Sequence, residues 1–179
     1  MFSYKVNPEE YDEEYFLSEN YGGMEFYSAG LEKPCSSSCR IYELIEKSEG
    51  GTALDAGCGK GEMLYFLSKK GFDVYGIDYS RDAVALARKT LRAKKINASV
   101  EQADVRKTSF ADNFFDFIVS ADVVEHLDDN NAVVEFLDEM HRVLKPGGTF
   151  YIHTAPNRLY VDIFQRFYRR QVDFAFAGL

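Results

Sequence analysis

Only three cysteines occur in the 179 residues, Cys35, Cys39 and Cys58, and an odd number cannot close into a disulfide framework. Neither a second cysteine pair nor a nearby histidine completes a zinc pattern with Cys35 and Cys39. Free thiols and no metal are therefore expected. No apolar run approaches the ~18 residues that would suggest a membrane span. The stretch from Met1 to Glu14 is acidic and aromatic rather than basic then apolar, so it does not read as a signal peptide, and a cytoplasmic location is expected. Positive charge is also in short supply: 21 Lys and Arg stand against 29 Asp and Glu, a formal net charge of −8. The basic residues lie on helix faces and in the tail rather than in one stripe, which argues against a nucleic-acid partner. No internal repeat or low-complexity tract is present.

What remains is ordinary globular material, 46% hydrophobic and 28% charged, in a chain long enough for one real core. From Thr52 to Thr154, short β-rich runs alternate with longer helical ones, the pattern of βαβ units and a mostly parallel sheet. Strands are predicted at Thr52 to Ala56, Asp73 to Ile77, Ala98 to Ala103, Phe115 to Ser120 and Thr149 to His153. Between them, one helix runs from Glu62 to Lys70 and ends at Gly71, in the position that favours a left-handed residue. A second is capped by Ser80 and turns Ala83, Leu86, Ala87, Thr90 and Leu91 inward, leaving Arg88, Lys89, Arg92, Lys94 and Lys95 solvated. The last runs from about Asn131 to Leu144, where Pro146-Gly147-Gly148 is read as a stop and tight turn into the fifth strand.

Doubly wound sheets bind ligands beyond the carboxyl ends of their strands. The loop Gly57-Cys58-Gly59-Lys60-Gly61 falls there, after the first strand, where glycine permits positive φ and close approach of a ligand to the backbone. Its spacing, Gly57-x-Gly59-x-Gly61 behind Asp55, is not the G-x-G-x-x-G of a dinucleotide site. A pyrophosphate wants a helix N-terminus free of negative charge, whereas a ligand with a cationic sulfur and an ammonium group suits Asp55. Asp78 ends the second strand about 20 residues on, where a carboxylate can accept both hydroxyls of a ribose. Asp104 ends the third strand, where it can accept from an adenine amino group.

Five blocks in order, Leu54-Asp55-Ala56-Gly57-Cys58-Gly59-Lys60-Gly61, Gly76-Ile77-Asp78-Tyr79-Ser80, Gln102-Ala103-Asp104-Val105, Phe115 to Ser120 with Val124-Glu125-His126-Leu127, and Arg142 to Gly148, resemble the class I S-adenosylmethionine-dependent methyltransferases. The branch they look most like contains the ubiquinone and menaquinone biosynthesis methyltransferases, over residues 40 to 157. The resemblance implies an α/β, Rossmann-like, doubly wound and mostly parallel sheet, S-adenosyl-L-methionine as cofactor, and a small-molecule methyl acceptor. It implies that Asp55, Gly57, Gly59 and Gly61 hold the methionine part and Asp78 the ribose. Tyr79 would cover one face of the adenine, with Asp104 and the Val105 amide on its edge. Ala121 would offer backbone to the methionyl group, and Arg40 would pair with its carboxylate.

Methyl transfer is an in-line displacement, so alignment and exclusion of water come first; a hydroxyl acceptor also gains from a general base. Asp122, Glu125, His126 and His153 follow strands four and five, with His126 and His153 the candidate bases. Residues 1–45, dense in aromatics (Tyr4, Tyr11, Tyr15, Phe16, Tyr21, Phe26 and Tyr27), are read as a segment covering the cofactor site of a 46–179 unit. The chain departs from the family after strand five, where a helix and two antiparallel strands usually follow, so the sheet reads as truncated. Leu159, Ile163, Phe164 and Phe167 and the tail from Val172 to Leu179 are then expected to pair two copies of the chain. The alternatives are a binding module without catalysis and, against the loop spacing, an NAD-dependent oxidoreductase.

Overall fold

The computed structural model describes residues 7–17, 41, 45, 48 and 50–154. Arg40, Cys35 and Cys39, the aromatics at 4, 21, 26 and 27, and the expected helix and tail from 158 to 179 lie outside these. Helix α1 (Glu13–Leu17) precedes a βα succession of β1 (Gly51–Ala56), α2 (Glu62–Lys69), β2 (Phe72–Asp78), α3 (Arg81–Ala93), β3 (Ala98–Gln102), β4 (Phe115–Ala121), α4 (Asn130–Val143) and β5 (Leu144–His153). The strands form one sheet of order β3-β2-β1-β4-β5, and every pairing is parallel. The order reverses between β1 and β4, which opens a crevice at their carboxyl ends.

Neighbouring strand residues point to opposite faces, and both faces are apolar, as a sheet covered on two sides requires. Ala53, Val74 and Val119 pack beneath α2 and α3 with Leu64, Leu67, Leu91, Ile41 and Ile45. Leu54, Ile77 and Ile118 pack beneath α4 with Val133, Phe136, Leu137 and Met140. All five residues expected on the inner face of α3 are buried, and Val84 joins them. In α4 the buried stripe also takes Phe136, whereas Val134 is only half-buried.

Two local readings are corrected. The Pro146-Gly147-Gly148 segment is not a turn between helix and strand: α4 ends at Val143, and Leu144 already pairs with Phe115. The register resumes at Phe117 with Thr149, so the prolyl-glycyl segment is an irregularity inside β5, where proline's missing N–H and the positive φ of Gly147 (82°) are tolerated. The amides of Asn113 and Phe114 cap the last helical carbonyls, those of Arg142 and Val143. Arg88 is not merely solvated, because its guanidinium donates to the Val100 carbonyl on β3, the edge strand. No helix among the described residues is long and apolar enough to cross a membrane.

Candidate functional site

A cavity of about 440 Å³ opens where the carboxyl ends of β1 to β4 converge. Gly57 follows β1 into it, Asp78 ends β2 with Tyr79 just beyond, and Asp104 and Val105 follow β3. Asp122, Val123 and His126 line the side beyond β4, and Tyr11, Tyr15 and Phe16 close over it from the N-terminal segment. The sequence-predicted residues Gly57, Asp78, Tyr79, Asp104, Val105 and His126 are thus brought together. Asp55, Gly59, Gly61, Ala121 and His153 do not line the cavity.

The glycines differ in what they do. Gly57 has φ of +88° and lies so close to Val123 that an added Cβ would stand 2.1 Å from its Cγ2. Gly61, at φ +86°, lets α2 pack on α3: a Cβ there would meet the backbone of Ala87 at 3.2 Å. Over Gly59 lies the Phe16 ring, which a Cβ at that position would meet at an ordinary contact distance of 3.5 Å. The tightness expected of the loop is therefore a matter of packing against the protein at two positions and of ligand access chiefly at Gly57.

Asp78 is 9% exposed, and its two oxygens are held apart by two amides, Gly59 N–H on Oδ2 and Ser80 N–H on Oδ1, each at 2.8 Å. Burial raises its pKa in spite of those bonds. The Tyr79 amide points at the carboxylate as well, and of the roughly four acceptor sites on its two oxygens, room remains for a ribose hydroxyl. Asp55 is fully buried, and burial together with the charges of Asp78 and Glu62 pushes it well above the usual carboxylate range. Tyr79 is the one large exposed hydrophobic among the described residues, at 44%, on the cavity wall beside Asp78. An exposed ring next to a buried, amide-aimed carboxylate is a natural seat for a nucleoside.

Three contacts go beyond the expectations from the sequence. Ser80 caps α3 by accepting from the amides of Asp82 and Ala83, and its hydroxyl also donates to the Tyr11 carbonyl at 2.6 Å. The cap thus ties the N-terminal segment to the wall of the cavity. Phe16 packs beside it on Ala83 and Leu86. Second, the Tyr11 hydroxyl lies 2.9 Å from His126 Nδ1. No spacing rule links positions so far apart. Third, Arg106 forks onto Asp104, with Nε 3.0 Å from Oδ1 and Nη2 2.6 Å from Oδ2, while its own amide donates to Oδ1 at 2.9 Å. The Asp-x-Arg spacing could have suggested this, because a side-chain turn to residue i+2 is common for aspartate.

His153 faces Asp122, whose Oδ1 lies 3.0 Å from Nδ1. That bond raises the imidazole's pKa against the opposing effect of burial. Asp122 itself holds φ of +55°, a left-handed conformation that is uncommon outside glycine, asparagine and aspartate. Glu125 accepts from the Thr154 hydroxyl at 2.8 Å. Cys58 is a buried thiol pushed upward by burial, as expected of a packing side chain. Among the described residues no cluster of His, Cys, Asp and Glu could hold a metal ion.

Residues 54–152 match a family described as a methyltransferase domain. A methyltransferase of Streptomyces halstedii, GfsG, is 34% identical over 116 residues, 63% of this chain and 41% of that protein. A ubiquinone biosynthesis O-methyltransferase of Bradyrhizobium is 34% identical over 126 residues, 66% of this chain and 47% of its own. A solved S-adenosylmethionine-dependent methyltransferase of Methanosarcina mazei is 28% identical and superposes with a TM-score of 0.60, covering 72% of this chain and 63% of that one. The chain spans less than half the length of the curated relatives it matches.

Proposed function

The chain belongs to the methyltransferase-domain family, whose cofactor is S-adenosyl-L-methionine, and on that premise we propose that it transfers a methyl group to a small-molecule acceptor. The observation that carries this reading is the cavity that joins Gly57, Asp78, Tyr79, Asp104 and Val105 to the Tyr11–His126 pair. Asp78 takes the ribose on the acceptor site its amide bonds leave open. Tyr79 covers the adenine, and Asp104 with the Val105 amide faces its edge. Backbone at Gly57 meets the methionyl part, and Asp55 and Ala121 stand behind it at the carboxyl ends of β1 and β4, shaping the site without lining the cavity. Gly59 and Gly61 shape the glycine loop, and Arg40 would pair with the carboxylate.

The cofactor supplies an activated methyl on a cationic sulfur; the chain's own residues align the acceptor with it and keep water out. Tyr11, Tyr15 and Phe16, part of the 1–45 segment, are the cover over the 46–179 unit. His126 fits the role of general base better than His153, because it lines the cavity and His153 does not. With Nδ1–H donated to the Tyr11 oxygen, Nε2 of His126 can accept the proton of an O–H or N–H acceptor. Pairing of two chains belongs to the same proposal, and light scattering at tens of micromolar reads it as a dimer mass.

Calorimetric titration with S-adenosylhomocysteine, followed by a methyl-transfer screen over phenols, amines and carboxylic acids, tests the proposal. Binding with transfer supports it. Binding without transfer to any acceptor leaves a cofactor-binding module, and no binding removes both.

A further inference from the structure

The carboxylate that the adenine needs is already engaged. Asp104 has about four acceptor sites on its two oxygens. Three N–H groups of one residue point at them: the Arg106 amide at 2.9 Å and Nε at 3.0 Å on Oδ1, and Nη2 at 2.6 Å on Oδ2, with Nε also 3.1 Å from Oδ2. Although burial pushes Asp104 upward, the Arg106 hydrogen bonds outweigh it and hold the group below the usual carboxylate range. Both residues line the cavity, and the ion pair is about one-third exposed on each side, so water and ligand can reach it. The amide bond fixes the carboxylate from the backbone and would survive loss of the guanidinium, whereas the fork would not.

We propose that Arg106 is a built-in competitor for the purine edge: its guanidinium occupies Asp104, and adenine binding exchanges that fork for the adenine amino group. The inference rests on the cofactor reading above. Two consequences follow from donor and acceptor chemistry. An adenine amino group donates to Asp104 and must displace Arg106 to do so. A 6-oxo purine has an acceptor in that place, so it is repelled by a free carboxylate and gains nothing from the loss of the guanidinium. Arg106 therefore lowers affinity for adenine selectively and narrows the preference for adenine over a 6-oxo purine.

The test is calorimetric titration of the wild-type chain, Arg106→Ala and Arg106→Gln with S-adenosylhomocysteine and with its hypoxanthine counterpart. Expected is about fivefold tighter binding of the adenine compound to both variants, the scale of a partly exposed ion pair. The hypoxanthine compound should bind no tighter than to wild type. In an Asp104→Asn background the gain from Arg106→Ala should vanish. Adenine binding that is unchanged or weaker in both variants, or equal tightening of both purines, overturns the inference while leaving the cofactor reading in place. A wild-type chain that binds neither compound overturns the cofactor reading, and this inference falls with it.

Discussion

The Tyr11 hydroxyl and His126 Nδ1 lie 2.9 Å apart across 115 residues of sequence, joining the N-terminal segment to the turn after β4. The two rings also meet edge to face at 5.3 Å, and Tyr15 stacks edge-on against Tyr11 at 4.9 Å. Burial, reinforced by Tyr15, Glu10, Glu125 and Asp78, raises the Tyr11 phenol, so it stays protonated at neutral pH. Tyr11→Phe keeps the ring packing and deletes only the hydroxyl. Turnover should fall about tenfold or more, with S-adenosylhomocysteine affinity within about twofold of wild type. The double variant with His126→Ala should be no slower than His126→Ala alone, because Tyr11 acts only by orienting that imidazole. Independent, additive losses would mean that the two residues do not act as a pair.

Asp78→Ala removes the acceptor of the Gly59 and Ser80 amides and, on the proposed cofactor reading, that of the ribose. Charge-assisted bonds of this kind are worth about 1.5 to 3 kcal/mol each, partly replaced by water, so affinity for S-adenosylhomocysteine should drop about 30- to 150-fold. The melting temperature should fall as well, since two amides lose their partner. A titration that changes by less than about threefold would remove Asp78 from the ribose site.

Much of this architecture is legible in the sequence, and the reason is locality. Five strands, the Ser80 cap and the Gly71 stop follow from periodicity and turn chemistry within a few residues, and the glycine loop and Asp78 mark the crevice because strand ends do. Illegible are the contacts between distant segments: Tyr11 with His126, Ser80 with the Tyr11 carbonyl, and Phe16 over Gly59. The Pro146-Gly147-Gly148 segment misleads because turn residues look alike whether they join two elements or interrupt one, and only the register with Phe115 and Phe117 separates the cases. Asp104 reads as an open acceptor because Arg106, whose guanidinium forks onto it, looks like one more surface charge.

Gly57→Ala should destabilise the protein through two separable effects. A left-handed conformation costs a residue with a Cβ about 1 to 2 kcal/mol, and that Cβ would also run into Val123, 2.1 Å from Cγ2. Adding Val123→Ala should relieve the overlap but not the backbone cost, so the double variant should recover part of the lost stability in urea unfolding. No recovery at all would place the whole cost in the backbone.

His153 owes its raised pKa first to the hydrogen bond with Asp122. Its folded value lies above the ordinary 6.5, so the stability it contributes is fully present below 6.5 and is lost as pH rises through the raised value. An NMR titration of the imidazole should show that midpoint moving down in Asp122→Asn. An unmoved midpoint would mean that the bond does not set it.

Glu139 gives the opposite sign. Its Oε1 accepts from the Thr108 amide at 2.7 Å, the Thr108 hydroxyl at 2.6 Å and Arg142 Nη2 at 2.7 Å, and Oε2 accepts from Arg142 Nε at 2.8 Å. Arg142 reaches on to the Phe110 carbonyl at 2.9 Å and to Asp112 at 2.6 Å, which fastens the end of α4 to the chain between β3 and β4. The Arg142 bonds, helped by Thr108 against the effect of burial, hold the carboxyl at about 2 instead of the usual 4.5. A depressed folded value means that the stability is present above pH 4.5 and is lost as pH falls through about 2. Because the Arg142 side chain is 35% exposed, solvent screening reduces the contribution, and Glu139→Gln should cost about 1 to 2 kcal/mol at pH 7. Urea unfolding of both proteins from about pH 7 to about pH 2.5 isolates this site, since the other carboxylates act alike on each and cancel in the difference. The gap between the curves should hold down to about pH 4.5 and then close. A gap that persists unchanged at about pH 2.5 would assign the loss to the neutral hydrogen bonds with Thr108 rather than to the charge.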